Sequence, residues 1–255
     1  MEQFLTSWDE GVQRSVLERF IDMATYAIGD IHNSLDKLDG ILEQISPSST
    51  DNIILLGDLF DRGGAEPDPV GVYYRLSGLN SKVSWIRGNH DQLLAEHILN
   101  YYGTPEKKRR NLQPYRYNSF ELMNSRLTEV DMLNIADLIL RLPLQIELII
   151  KSEKYLLAHA MTFNPTKGVK KPELYLEGVN SDKEYLEKGV EGYVSIVGHQ
   201  DTSYQRKNPN GHFLDGVDFI WVNEKNNLYM MDCGCGLPNG RLACMCLETG
   251  ERFYS

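Results

Sequence analysis

Three short runs hold the polar groups best suited to chemistry in this chain: Gly29-Asp30-Ile31-His32, Gly57-Asp58-Leu59-Phe60-Asp61-Arg62 and Gly88-Asn89-His90-Asp91. They recur roughly thirty residues apart and supply carboxylate, amide and imidazole groups. That donor mix suits a pair of divalent cations. Two isolated histidines further along, His159 and His199, are additional candidate ligands. One carboxylate can bridge two ions through its two oxygens, which keeps the ions roughly 3.5–4 Å apart. A lone Asp or His at a strand end is more often a cap or a satisfied core residue. Three glycine-anchored motifs have no reason to recur as independent caps, so a two-metal site is the expectation.

The elements that must position these groups are legible around them. The motifs follow the apolar runs 24–28, 53–56 and 83–86, which read as buried strands. Leu35, Leu38, Ile41, Leu42 and Ile45 fall at helical spacing between the first two. His159 follows the run 154–158 and His199 follows 194–198. The chain thus alternates strand and helix, with candidate ligands at the carboxyl ends of five strands. In open α/β sheets that rim is where ligands sit.

Composition narrows the function classes. A net charge of −10 argues against a nucleic-acid partner. The longest apolar stretch, around 146–150, is far too short to span a bilayer, so no membrane partner is expected. Cys233, Cys235, Cys244 and Cys246 follow no secretory signal and read as reduced thiols of a cytoplasmic protein. Cysteines two apart on a strand share a face, which favours packing over a zinc cluster. Residues 1–22 read as an amphipathic helical extension, with Phe4, Leu5, Trp8, Val12, Val16, Leu17, Phe20 and Ile21 at the spacing of one helical face. It is expected to pack on the domain or to join two subunits. Residues 23–255 are expected to make one domain, with 92–142 as a helical insert or cap. Within that insert Tyr101, Tyr102, Lys107, Lys108, Arg109, Arg110, Tyr115, Arg116 and Tyr117 form a basic, aromatic patch. A solvated helix face is favoured over a substrate grip there.

The GD-x-H, GD-x-x-DR and GNHD motifs, followed by two isolated histidines, resemble the calcineurin-like metallophosphoesterases. The likeness is greatest to the phosphoprotein phosphatase branch, with its bacterial and phage protein phosphatases and symmetrical diadenosine tetraphosphatases. It covers roughly residues 23–250. The resemblance implies a four-layer αββα sandwich with the dinuclear site at the strand carboxyl ends. It implies that Asp30, His32 and Asp58 hold one metal, and that Asp58 bridges to a second completed by Asn89, His159 and His199. Manganese is the first expectation, with iron or zinc as alternatives. A metal-bridging hydroxide would attack phosphorus in line. His90 would protonate the leaving oxygen, Asp61 would orient His90, and Arg62 would grip the phosphate with its planar fork.

Some positions depart from the family pattern. Asn33 stands where the family usually has glycine, His159 sits in His-Ala-Met, and His199 precedes Gln200-Asp201-Thr202. No arginine lies between Arg141 and Arg206, where relatives place a second phosphate-gripping arginine. Lys167, Lys170, Lys171 or Arg206 are the replacements at hand. The full GD-x-x-DRG run favours a serine/threonine phosphatase acting on phosphorylated proteins or small phosphoesters, while GNHD leans toward the tetraphosphatases. A non-catalytic scaffold is disfavoured, because every ligand position and His90 are filled.

Overall fold

Apolar runs of three to six residues pair here into two sheets. The computed structural model describes residues 23–167, 171–178 and 182–255; the extension 1–22 lies outside the described residues. In the first sheet β1 (Thr25–Ile28), β2 (Asn52–Leu55) and β3 (Lys82–Trp85) run parallel. Two late strands, β10 (Ala243–Cys246) and β11 (Arg252–Tyr254), extend that sheet antiparallel from β1. The second sheet is built from β4 (Gln145–Ile150), β5 (Glu153–Ala158), β6 (Val194–Val197), β7 (Gly211–Phe213), β8 (Trp221–Asn223) and β9 (Leu228–Met230). Its order is β4-β5-β6-β9-β8-β7, with β5, β6 and β9 parallel.

Side chains alternate faces along each strand and so divide the core into three layers. Ile28, Ile53 and Leu55 face helices α1 (Leu35–Ile45), α2 (Pro69–Ser77), α3 (Asn89–Gly103), α5 (Ser119–Asn124) and α6 (Glu129–Arg141); the short α4 is Glu106–Arg109. Ala27, Ile54 and Leu56 turn the other way, against Leu157, Ile196 and Met231 of the second sheet. Val197, Leu228 and Met230 pack outward on Tyr185 and Leu186 of α7 (Lys183–Lys188). The result is the expected helix–sheet–sheet–helix sandwich. Strands buried on both faces explain why β1 and β2 read as continuous apolar runs. The four cysteines are buried and unpaired. Cys235 and Cys244 lie in the helix-side core and Cys233 lies between the sheets. Burial pushes the thiols of Cys233, Cys235 and Cys244 up, which keeps them protonated. Among the described residues no helix is long and apolar enough to cross a membrane.

Candidate metal centre

Because β1, β2 and β3 are parallel, as are β5 and β6, their carboxyl ends meet at one rim. Two triads of ligand atoms form there, Asp30–His32–Asp58 and Asp58–His159–His199, each within 4.8 Å of one another. Asp58 belongs to both. Its Oδ2 lies 3.4 Å from His159 Nε2 and 3.8 Å from His32 Nε2. Asn89 presents Oδ1 at 2.9 Å from His159 Nε2 and 3.1 Å from His199 Nδ1. All six expected ligands therefore converge.

The donor set fits cations. His32 donates Nδ1–H to the Phe60 carbonyl at 3.0 Å, and His159 donates Nδ1–H to the Leu56 carbonyl at 2.9 Å. Each bond leaves a lone pair on Nε2, aimed into the site. His199 Nδ1 is only 3.2 Å from His159 Nε2. Acceptors facing acceptors in a buried space repel unless a cation or a proton sits between them.

Without metal, a proton takes that role. Burial opposes charge on His159, but the Asp58 carboxylate raises it to about 10. Burial alone would raise Asp58, yet the imidazoles of His159, His90 and His32 hold it well below the usual carboxylate range. Burial lowers His32 to about 4, helped by Arg62 and His90, and lowers His199 to about 3, helped by His159. The His159 charge stabilises the metal-free fold fully below its ordinary value of about 6.5, and that contribution is lost as pH rises through about 10. An ion held by His159 Nε2 would take the place of this proton. Loading at pH 7.5 is expected to release at least one proton, read by calorimetry in buffers of different ionisation heat. Zero release would overturn this account.

The backbone is bent to bring these groups together. His32, Asn33, Asp58, Asp61, Arg62 and His199 all have positive φ, between 48° and 70°. Each non-glycine residue held there costs about 1–2 kcal/mol. Asn33 tolerates φ 58° better than most residues, which accounts for asparagine in place of glycine. Glycine is required where chains nearly touch. A Cβ on Gly88 would strike Asp58, and one on Gly198 would strike the Asp30 carboxylate. That carboxylate accepts the His199 N–H at 3.0 Å and so ties β1 to β6.

Beside the ligands, buried His90 places Nδ1 at 3.0 Å from Asp61 Oδ2. Its Nε2 faces Arg62 Nη2 at 3.4 Å, while Arg62 Nη1 lies 3.1 Å from His32 Nε2. One guanidinium thus reaches both the acid candidate and the metal triad. The insert holds this arrangement in place. Tyr115 donates its hydroxyl to Asp61 Oδ2 at 2.7 Å. The Asp61 N–H donates to Ser119 Oγ at 2.6 Å, and Asn118 donates to the Arg62 carbonyl at 2.6 Å. Burial and the adjoining Asp61 push the Tyr115 hydroxyl far up, so it remains a donor.

Sequence reasoning missed these insert contacts and gave no structural role to Asp91. Its carboxylate accepts the N–H groups of Asp58, Leu59 and Gly88, each at 2.9 Å, and Trp85 Nε1 at 3.3 Å. Burial and the Asp58 charge push it up to about 6. The signal was its place at the third residue of α3, where a carboxylate caps a helix start. Asp91→Ala strands buried donors at about 1–3 kcal/mol each. A fall of several kcal/mol in unfolding free energy by urea titration is expected, and an unchanged midpoint would count against it. Asp232, buried past the end of β9, is a second missed carboxylate, and its charge helps burial raise Asp30. Among the described residues none of the candidates for the absent arginine is found at the rim. Arg206 is committed to Asp218 at 2.7 Å, and Lys167 lines a cleft with Tyr185 and Lys188. Lys171 is exposed, and Lys170 lies outside the described residues.

The model of the calcineurin-like phosphoesterase family matches residues 23–227. The symmetrical bis(5'-nucleosyl)-tetraphosphatases of Salmonella typhimurium and Salmonella paratyphi B are 41% identical over 75 residues. That match covers 29% of this chain and 26% of theirs, so the chain spans about a quarter of the length of these relatives. A solved structure described as a candidate diadenosine tetraphosphatase shares the fold, with TM-score 0.59 and 18% identity over 92% of this chain and 94% of that one. A hypothetical protein from Pyrococcus horikoshii OT3 follows at TM-score 0.51 and 16% identity, over 91% and 87% of the two chains.

Proposed function

We propose a substrate class from a plain premise: this chain belongs to the calcineurin-like phosphoesterase family and is a metal-dependent phosphoester hydrolase. It acts as a phosphomonoesterase of the serine/threonine phosphatase type, with phosphorylated protein as substrate. The observation that carries this reading is the Asp61–His90 pair, 3.0 Å apart and buried. A serine or threonine alkoxide leaves only if a proton is delivered to its oxygen, whereas ADP departs as a stable anion. An oriented acid is therefore worth most on the former. Asp61 fixes Nδ1 of His90, so the proton goes from Nε2 to the leaving oxygen. Arg62, already beside that nitrogen, grips the phosphoryl oxygens with its fork.

Asp30, His32 and Asp58 would hold one ion, with Asp58, Asn89, His159 and His199 holding the second, manganese before iron or zinc. When bound, the ions supply a water acidic enough to ionise near neutral pH and positive charge against the phosphate.

The second reading is a symmetrical dinucleoside tetraphosphatase, favoured by the relatives that carry that activity in their names. Manganese-loaded protein should be offered a phosphoserine peptide and diadenosine tetraphosphate side by side. Faster phosphate release from the peptide is the expected result, and a strong preference for the dinucleotide would replace the first reading with the second.

A further inference from the structure

The segment 115–119 lies over the second motif as a strap. Tyr115 is bonded to Asp61, Asn118 to the Arg62 carbonyl and Ser119 to the Asp61 N–H. Tyr117 is half-buried, with its ring 4.4 Å from that of His90 between centroids. Three of the five residues are thus tied to the second motif, and Tyr117 packs on His90. The fifth, Arg116, is exposed, and its guanidinium sits 5.1 Å above the Tyr117 ring.

This placement has a consequence for whatever is attached to the leaving oxygen. If His90 Nε2 protonates that oxygen, the leaving group comes within reach of Tyr117, the ring packed on His90. Arg116, exposed and stacked on that same ring, is the charge beside it. We propose that Tyr117 and Arg116 form a leaving-group subsite that selects leaving groups carrying an anion a few bonds beyond the scissile oxygen. Tyr117 offers an apolar face along which the leaving group lies. Arg116 supplies the charge, and its planar fork pairs with carboxylate or phosphate. In a chain of net charge −10 such a site cannot arise from a general positive field, and it has to be local.

The subsite rests on the acid role of His90, and the anion could come from two sources: an acidic residue following phosphoserine, or the phosphates of a departing nucleotide. The test compares KM for two phosphoserine peptides, one with aspartates after the phosphoserine and one with asparagines there. Wild-type protein should favour the acidic peptide about three- to tenfold in KM. Arg116→Ala should remove that preference and Arg116→Lys should keep most of it. Loss of the preference with added salt should follow the same pattern. A wild-type preference that survives in Arg116→Ala, or no preference at all, overturns the proposal.

Failure of the phosphatase reading has a different signature, in which neither peptide turns over while diadenosine tetraphosphate does. The same variants are then read on the dinucleotide, whose departing ADP carries the anion. A three- to tenfold rise in KM for Arg116→Ala, recovered by Arg116→Lys, supports the subsite, and an unchanged KM overturns it.

Discussion

Asp58→Asn protein is expected to purify folded and to hold neither metal. The asparagine keeps the size of the side chain and the oxygen that accepts the His90 N–H at 2.9 Å. It loses the charge that lies between the two triads, within 3.4 Å of His159 and 3.8 Å of His32. Without that charge the remaining imidazoles confront each other and the amide of Asn89 across about 3 Å with little to hold a cation. Metal content after dialysis against micromolar manganese should fall from two equivalents toward zero. Turnover should fall by at least about 10³-fold, since the ions are worth several kcal/mol of charge stabilisation. Retention of two equivalents by the variant would remove Asp58 from its bridging position.

His90→Asn should show a different pattern, with metal retained and the loss dependent on the leaving group. An acid matters in proportion to how badly the departing oxygen needs a proton. Alkyl phosphates and phosphoserine peptides should slow by roughly 10²–10⁴-fold. Nitrophenyl phosphate, whose phenolate departs readily, should lose far less. Tyr115→Phe removes one of the two donors on Asp61 Oδ2 and should give a milder version of the same leaving-group pattern. Equal losses on both substrate types would take the acid role away from His90.

Much of this site is legible in the sequence, because its parts are local. Asp30, His32, Asp58, Asn89, His159 and His199 each stand just past a strand that hydrophobic periodicity exposes, and parallel strands put their ends together. The helix carrying Leu38, Ile41, Leu42 and Ile45 was legible for the same reason, as those four residues are buried. What escaped was set by contacts between distant residues. Tyr115 meets Asp61 across 54 positions and Asn118 meets Arg62 across 56, inside an insert whose own pattern says only helix. The patch containing Arg109 and Tyr115 read as a solvated face. In the fold Arg109 instead stacks on Tyr101 and Tyr102, with only part of the patch left exposed. Strands β7, β8 and β11, at three residues each, are too short for period-two alternation to register.

Six left-handed residues around one rim have a consequence for how such a centre could be made or moved. None of those conformations is preferred by its own side chain, so the ligands have no tendency to gather in an unfolded chain. The site is assembled by the closed sandwich, which holds the ligands in that posture. Grafting the three motifs onto another scaffold would carry over the chemistry without the posture. The transferable unit is the whole frame of strand ends, close-approach glycines and the insert that leans on them.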